Sequence, residues 1–488
     1  MRSQADAFVL PAALARPWRL VQERGAMLLA ALVVGLFAVN ALLHFPGTVN
    51  NDSINQYREA VSGRYSDWHP PVMAWLWSWL RYLGEGPGPL LLFHLALYWA
   101  GFGLLADAVR RAGHPAWALV VALAGAFPPF LYVNAQVVKD VGMAATWLAA
   151  AGVMFWYRSQ QRRIPVLAGV AVAALLAYGT LVRGNAVFGL GPLLLYALAP
   201  ASWWRSGRLM AAAVVVALLA IPASKLVNSG LLQAKSQHPE HSLFMFDLMG
   251  IAVHEGDPRL VEPRAKLSEA DLQACYSPYW WDSLSPWGRC ASRVDRPNKD
   301  FAANGDGLGQ QWALTILEHP VAYATHRLKH FNSSLLFLVP PKHLRFAPEN
   351  RTDDPAWKPF EPVTERDLKM DLVRKNFLVW PVTWLAWGLV LLVFLAQRAA
   401  GSGIGFARVL VVSALAYSGA YLVVGVATDM RYHYWSLLAI MLATLLVLPQ
   451  LAQGWRDRSR ILIGGLALVV LVVALGTAAR LADWQALV

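Results

Sequence analysis

The amino-acid sequence contains eleven apolar stretches, each long enough to cross a bilayer as a helix. A helix that spans about 30 Å of hydrocarbon needs about 20 mostly apolar residues. We therefore predict an all-α polytopic membrane protein. The approximate cores of the predicted spans are 26–45, 88–107, 116–134, 141–157, 164–182, 186–202, 209–228, 377–397, 407–427, 435–453 and 461–480.

The composition agrees with a membrane protein and argues against several soluble functions. Hydrophobic residues make up 57% of the chain and charged residues 15%, whereas a soluble domain is about 25% charged. A net charge of +12 would suggest nucleic-acid binding in a soluble protein, but cationic cytoplasmic loops of a membrane protein account for it equally well. The sequence has no Walker A lysine and no GxGxxG motif, which argues against an ATP-driven pump or a cytosolic nucleotide-dependent enzyme.

The placement of arginine predicts the orientation. If the N-terminus lies inside, every short inner segment is basic, as the positive-inside rule requires; Arg110, Arg111 and Arg158 are examples. These inner segments carry the whole excess of +12, and the charges on the outer side balance. We therefore predict a multi-pass membrane protein with a cytoplasmic N-terminus, no nucleic-acid partner, and a large loop and C-terminus on the outer side.

Three regions follow from this topology. Residues 1–228 form an N-terminal transmembrane module with a first outer loop at 46–87, residues 229–376 form an extracytoplasmic domain, and residues 377–488 form the C-terminal transmembrane helices. Within the first outer loop, the apolar stretch 71–83 is too short to span and is typical of an interfacial or re-entrant helix. The outer domain is predicted to be mixed and mostly helical, with a helix over 308–335.

The outer domain contains both cysteines of the chain, Cys275 and Cys290. An extracytoplasmic compartment permits disulfides, so we predict that the two are bridged. The alternative is two buried free thiols.

Charged and hydrogen-bonding side chains concentrate in four outer loops that lie at one membrane depth, so they can converge on one site. The candidate site residues in these loops are Asp52, Gln56, Arg64, Asp67, His69, Lys139, Asp140, Arg183, Arg431, Tyr432 and His433.

Acids beside cations at a lipid–water boundary suit a substrate with a phosphate head and a lipid tail. Lys139, Arg183 and Arg431 are candidates to hold and neutralise the phosphate as it leaves. A carboxylate can deprotonate an acceptor hydroxyl, and the catalytic candidates are Asp52, Asp140 and Asp67. We assign the remaining candidates to substrate binding: Gln56, Arg64, His69, Tyr432 and His433.

Each of the main candidates also has a structural explanation. Asp52 and Asp140 are suitable helix N-caps, and Asp67 suits a turn. Arg183 can snorkel to the interface, and Arg431 can belong to an interfacial aromatic belt. Carboxylates and His69 offer oxygen and nitrogen ligands for a divalent metal, but no spacing is diagnostic, so we expect no metal or other cofactor.

The motifs around these residues resemble those of the GT-C superfamily of integral-membrane glycosyltransferases, in the style of the protein O-mannosyltransferases and the lipid A aminoarabinose transferases. The matching segments are Asp52-Ser53-Ile54-Asn55-Gln56, Gly63-Arg64-Tyr65-Ser66-Asp67-Trp68-His69-Pro70-Pro71, Lys139-Asp140 and Arg431-Tyr432. The usual Asp-Glu pair of the first outer loop is Asp52-Ser53 here, so the second carboxylate is missing, and Asp67 is a possible substitute.

The resemblance implies a polyprenyl-phosphate-linked sugar donor used on the outer face, with Asp52 as the base or its partner. The acceptor would be a lipid, a glycan or a protein hydroxyl. The outer domain resembles that of bacterial relatives, which implies a bacterial inner membrane and a periplasmic site.

Two further functions use the same kind of substrate: a transporter or flippase, and a polymerase or ligase for lipid-linked glycans. A transporter places ionisable residues near the bilayer midplane. In this sequence they cluster at the outer ends of the spans, which favours an enzyme.

Overall fold

The structure, a computed structural model, describes residues 12–262, 267–293, 307–341, 376–399 and 401–484. These residues form helices joined by loops, with three isolated β-bridges and no strand among them. The prediction of an all-α architecture is confirmed for this part of the chain. The stretch 342–375 of the predicted outer domain lies outside the described residues.

The N-terminal module is a series of helices that follows the predicted spans. Its helices are Ala12–His44, Asn51–Ser62, Val72–Leu80, Gly88–Arg111, Pro115–Ala124, Pro128–Asn134, Lys139–Ser159, Val166–Val182, Val187–Leu198 and Ser206–Lys225.

The later helices divide between the predicted outer domain 229–376, which we call the outer segment after its predicted side, and the C-terminal region. Those of the outer segment are Glu240–Glu255, Glu269–Cys275, Leu308–Glu318 and Pro320–Ser334. Those of the C-terminal region are Pro381–Ala396, Ser402–Gly419, Tyr421–Val424, Tyr434–Leu446, Leu448–Arg456 and Arg460–Leu481.

By length and apolar composition, five helices of the described residues can cross a membrane. The number rises to seven if each of two bent helix pairs is one span; the pairs bend by 51° and 62°. The chain is therefore a multi-pass membrane protein with five to seven supported spans, and the count of eleven stays a prediction. The stretches 164–182, 186–202 and 377–397 form shorter apolar helices.

The helix Lys139–Ser159 lies in the interior of the bundle, where protein rather than lipid surrounds it. It packs closely on Gly88–Arg111 because glycines face each other at the contact. A Cβ atom on Gly101 would lie 2.6 Å from Leu148 Cγ, and one on Gly152 would lie 2.9 Å from the Gly101 carbonyl oxygen. Small residues allow this close approach of helices in membrane proteins. The close contact fixes the position of the outer end of Lys139–Ser159, where Lys139 and Asp140 lie.

The predicted interfacial stretch 71–83 forms the helix Val72–Leu80 and one following 3-10 turn. Met73 and Trp77 point into the protein, whereas Trp75, Trp79 and Tyr82 are exposed. Exposed tryptophan and tyrosine side chains are typical of helices at the membrane–water boundary.

The outer segment has a small hydrophobic core of its own, which includes Leu248, Met249, Leu272 and Leu308. Cys275 and Cys290 are buried within this core and are joined by a disulfide. The segment also contacts the C-terminal helices, where Arg480 donates hydrogen bonds to the carbonyl oxygens of Leu336 and Phe337.

Candidate active site

The first and second outer loops are held together by hydrogen bonds. Thr48 forms a parallel β-bridge with Gln136, and the hydroxyl of Ser53 donates to the carbonyl oxygen of Val137 at 2.6 Å. The Ser53 hydroxyl therefore fixes the first loop to the second. The contact places the start of the helix Asn51–Ser62 beside the start of Lys139–Ser159.

Asp52 lies in the first turn of the helix Asn51–Ser62 and does not cap it. Asn50 is the N-cap, and its side chain accepts a hydrogen bond from the backbone N–H of Ser53. The side chain of Asp52 is 39% exposed, so its carboxylate faces an opening. Of the two explanations for Asp52, helix capping is therefore excluded by the geometry.

Lys139, His69 and Asp52 form a chain of polar contacts. The Lys139 ammonium lies 2.9 Å from His69 Nδ1, and His69 Nε2 lies 3.6 Å from a carboxylate oxygen of Asp52. An ammonium group can only donate hydrogen bonds, so Nδ1 accepts from Lys139 and the proton of the neutral ring is on Nε2. This Nε2–H group points toward Asp52.

Asp140 and Arg183 form the most buried ion pair of the site. Arg183 Nε lies 3.1 Å from a carboxylate oxygen of Asp140, whose side chain is 0% exposed. Arg183 also donates a hydrogen bond of 3.0 Å to the hydroxyl of Tyr421, and its guanidinium lies 4.6 Å from the centre of the Tyr432 ring. Arg183 therefore points into the protein rather than snorkelling, and Asp140 is a buried partner rather than a cap.

Arg431 connects the late loop to both acids of the early loops. Its guanidinium lies 3.3 Å from Asp429, 3.9 Å from Asp140 and 3.9 Å from Asp52. It also lies 5.3 Å from the centre of the Tyr432 ring. Tyr432 thus contacts both arginines of the site.

The three acids and the three cations of this cluster balance in charge, but not every cation has a carboxylate as its nearest partner. Arg183 and Arg431 have carboxylate partners, whereas the contact of Lys139 is the neutral ring of His69. Burial and the charge of Lys139 lower the pKa of His69 to about 3. Burial alone would raise the pKa of Asp52, but the neighbouring His69, Lys139, Arg431 and Arg183 outweigh it and lower the pKa to about 2. At neutral pH, Asp52 is therefore ionised and His69 is neutral.

The structure brings together seven of the predicted residues from all four outer loops: Asp52, His69, Lys139, Asp140, Arg183, Arg431 and Tyr432. We call these residues, with Asp429 and Tyr421, the polar cluster.

Four predicted residues are not part of the polar cluster. Asp67 points to the outer segment, where it accepts hydrogen bonds from the Ser236 hydroxyl and the Gln237 backbone N–H. Arg64 is exposed. Gln56 is buried and donates to the backbone carbonyl oxygen of its own helix at Asp52.

His433 is the fourth of these residues. It lies between the hydroxyls of Ser418 and Ser334, at 2.8 and 2.9 Å. It links two helices, and its ring contacts that of Tyr421 at the edge of the polar cluster, with centroids 4.9 Å apart. Its position follows from the 3-10 turn Met430–His433, in which residues 431 and 433 point in different directions.

Sequence reasoning missed two members of the polar cluster. Asp429 accepts the backbone N–H of Arg431 and pairs with its side chain, so it orients the arginine. Tyr421 holds Arg183 and stacks on Tyr432, with ring centroids 5.8 Å apart. Asp429 lies in the same late loop as Arg431, and this proximity in the sequence could have identified it as a member of the site. Tyr421 gave none, because an aromatic residue at the end of a span is common.

Residues 68–224 match the family model of the dolichyl-phosphate-mannose-protein mannosyltransferases. The match covers about a third of the chain and supports a membrane glycosyltransferase. The matched region contains His69, Lys139, Asp140 and Arg183, whereas Asp52 and Arg431 lie outside it. Comparisons with curated proteins and with solved structures give no match.

A group of possible metal ligands lies apart from the polar cluster. His238, Glu240 and His241 have ligand atoms within 4.8 Å of one another. They lie at the start of the helix Glu240–Glu255, and Glu240 is already 3.1 Å from His238 Nδ1. Among the described residues, this is the one group of three or more such side chains with that spacing.

Proposed function

We propose that this protein is a polyprenyl-phosphate-sugar-dependent glycosyltransferase of the GT-C type, in a bacterial inner membrane with its site on the periplasmic side. The observation that carries the proposal is the open carboxylate of Asp52 beside Lys139 and Arg431. It joins a proton acceptor to cations that can bind a phosphate. The family match over residues 68–224 supports the same reaction class.

The cations have different tasks in this proposal. Arg183 is committed to Asp140, so it maintains the shape of the site. Lys139 and Arg431 are the groups that bind the phosphate of the donor. Lys139 is suited to this because its hydrogen-bond contact is the neutral ring of His69, and Arg431 lies 3.9 Å from the Asp52 carboxylate. Negative charge develops on the phosphate as the sugar leaves, and positioned cations stabilise such a charge strongly in a site with little water.

Asp52 supplies the general base. As the acceptor hydroxyl attacks the anomeric carbon, Asp52 takes its proton, a new carbon–oxygen bond forms and the bond to the lipid phosphate breaks. The products are a glycoside and polyprenyl phosphate, with inversion at the anomeric carbon. The Nε2–H of His69 orients the Asp52 carboxylate.

The low pKa of Asp52 couples the base to the donor. Lys139 and Arg431 are among the groups that lower this pKa, so Asp52 alone is a weak base. A bound phosphate neutralises part of their charge, and the burial that raises the pKa then dominates. Asp52 therefore becomes a stronger base when the donor is present.

The test is turnover by the purified chain in lipid nanodiscs. The donor is a radiolabelled polyprenyl-phosphate mannose, and released polyprenyl phosphate is measured with a membrane extract as acceptor source. We expect release by the wild type and its loss in Asp52→Asn. No release, also with other polyprenyl-phosphate sugars, would reject the proposal. Movement of intact donor across the bilayer without release would favour a flippase, and transfer of a whole oligosaccharide would favour a polymerase or ligase.

The periplasmic position of the site has its own test. The Cys275–Cys290 disulfide supports an oxidising compartment for the outer segment. An alkaline phosphatase fused after residue 300 is expected to be active, because this enzyme needs an oxidising environment. Activity of a cytoplasmic reporter at the same position would reverse the topology.

A further inference from the structure

Three tryptophans, of which one is exposed and two are half-buried, form an aromatic cluster on the surface. The ring of Trp68 lies 5.8 Å from that of Trp281 and 5.9 Å from that of Trp287, and Trp281 lies 6.0 Å from Trp287. The ring planes are tilted or nearly perpendicular, so their faces point in different directions. Trp287 is 63% exposed. We call these three residues the tryptophan cluster.

The tryptophan cluster is attached to both loops that supply the polar cluster. Trp68 directly precedes His69, so their Cα atoms are about 3.8 Å apart. On the other side, the backbone N–H of Trp281 donates to the carbonyl oxygen of Val426 at 2.9 Å, and Trp280 forms a β-bridge with Ala427. Residues 426 and 427 lead directly into the loop of Asp429 and Arg431. The tryptophan cluster is therefore joined by short backbone connections to two of the loops that supply the polar cluster.

The chain holds this exposed surface in place with a covalent bond. Trp281 and Trp287 lie within the loop closed by the Cys275–Cys290 disulfide. Inside the loop, the Ser283 hydroxyl donates to the Cys275 carbonyl oxygen at 2.5 Å, and the Cys290 N–H donates to the Ser283 carbonyl oxygen at 3.0 Å. A rigid aromatic surface loses little conformational freedom on binding, which favours affinity.

The indole N–H groups of the tryptophan cluster indicate which kind of ligand its surface binds. None of the three indole N–H groups donates a hydrogen bond to the described part of the chain, so each of them can donate to a ligand. A sugar ring uses both properties of an indole, because its C–H face packs on the ring and its hydroxyls accept from the N–H. An acyl chain would leave the N–H groups unused. A peptide that binds by strand addition needs a strand edge, and the described residues offer none.

We propose that the tryptophan cluster binds a sugar ring of the acceptor, so that the acceptor is a glycan. This inference rests on the proposed function, because it takes the polar cluster as the place of transfer. Trp68 brings the bound ring to His69, and the hydroxyl that is glycosylated points toward Asp52. The donor lipid phosphate and the acceptor sugar then approach the site from different sides.

The test is binding of the full-length protein in nanodiscs to a glycan array that carries hexoses, N-acetylhexosamines and amino sugars. We expect retention on at least one class, a decrease of about tenfold or more in Trp287→Ala, and partial retention in Trp287→Phe. Trp455→Ala is the matched control, since Trp455 is 54% exposed on the predicted cytoplasmic side. No retention on any spot, or equal retention by Trp287→Ala and wild type, would overturn the proposal.

Two further measurements distinguish a bound sugar from the two other ligands considered, a lipid and a peptide. Brominated lipids in the nanodisc are expected to quench the emission of wild type and Trp287→Phe equally. Stronger quenching in the wild type would place Trp287 in the bilayer and overturn the proposal. Retention on a serine- and threonine-rich peptide array that is lost in Trp287→Ala would overturn it in favour of a protein acceptor.

The proposed function can fail separately from this inference. Binding of radiolabelled polyprenyl phosphate reports the polar cluster, and glycan retention reports the tryptophan cluster. If Trp287→Ala loses the glycan and keeps polyprenyl phosphate, both proposals are supported. If the wild type retains a glycan but releases polyprenyl phosphate from no donor, the sugar surface stands and the transferase proposal fails.

Discussion

The ammonium group of Lys139 lies 2.9 Å from Nδ1 of His69, and the opposite ring nitrogen faces Asp52 at 3.6 Å. One cation thereby determines which nitrogen of a neutral histidine carries the proton. The same cation contributes to the low pKa of Asp52. Lys139 therefore affects both the orientation and the basicity of the candidate base, although His69 lies between them.

Asp52→Asn and Asp67→Asn form a matched pair that tests the choice of base. Asparagine keeps the size of the side chain but cannot accept the proton. We expect Asp52→Asn to decrease turnover by about 10²–10⁴-fold and Asp67→Asn to change it by less than about threefold. The measurement is release of polyprenyl phosphate at saturating donor. An equal loss in both variants would show that the carboxylate near the outer segment is also needed.

Lys139→Gln tests the phosphate site. A hydrogen bond to a charged group contributes about 1.5–3 kcal/mol, so we expect the KM for the donor to rise about 10- to 100-fold. Lys139→Arg keeps the charge and should recover part of the affinity. An unchanged donor KM in Lys139→Gln would mean that Arg431 binds the phosphate without Lys139.

Arg183→Met leaves the buried carboxylate of Asp140 without its nearest cation. Breaking a buried pair costs about 3–5 kcal/mol, and we expect the lower end because Arg431 remains 3.9 Å away. The double variant Asp140→Asn with Arg183→Met should be more stable than the single variant, since no carboxylate is then left unpaired. Thermal unfolding in detergent measures both. A double variant less stable than Arg183→Met would contradict the pairing.

His69 predicts a pH dependence of stability. Its pKa of about 3 lies below the ordinary 6.5, so between these values the unfolded chain binds a proton that the folded chain does not. The contribution of His69 is complete above pH 6.5 and decreases as the pH falls toward 3. We expect the unfolding temperature of the wild type to fall more between pH 7 and pH 5 than that of His69→Gln. Parallel decreases in the two proteins would contradict the low pKa.

Reduction of the disulfide should destabilise the outer segment. The bridged residues are 15 positions apart, and closing a loop of this length contributes about 3 kcal/mol. We expect a reductant to lower the unfolding temperature of the wild type and to leave the variant with Cys275→Ser and Cys290→Ser unchanged. A reductant effect on that variant would point to a different cause.

Much of the site could be predicted from the sequence because the topology limits where polar residues can meet. Once the arginines set the orientation, the ends of the predicted spans place Lys139, Arg183 and Arg431 on one side. Their contacts could not be predicted, because a hydropathy pattern gives the depth of a residue but not its direction. Asp67 illustrates this limit. It is two residues from His69, yet its side chain turns to Ser236 and Gln237.

The role of Tyr421 and the number of spans were harder to predict from the sequence, for a related reason. Tyr421 acts through its hydroxyl on Arg183, a contact between distant parts of the chain that no local pattern reveals. Helices such as Lys139–Ser159 are surrounded by protein, so their composition reflects packing as well as lipid. Apolar length alone therefore separates spans from core helices poorly.

The split of the polar cluster along the chain has a consequence for biosynthesis. Asp140 and Arg183 belong to consecutive helical segments, so their ion pair can form while the ribosome is still making the outer segment. Arg431, which contacts both Asp52 and Asp140, is synthesised only after the outer segment. A nascent chain stalled before that point can form the early ion pair but has an incomplete site. Competence for the proposed reaction is thus acquired only once the late loop has been made.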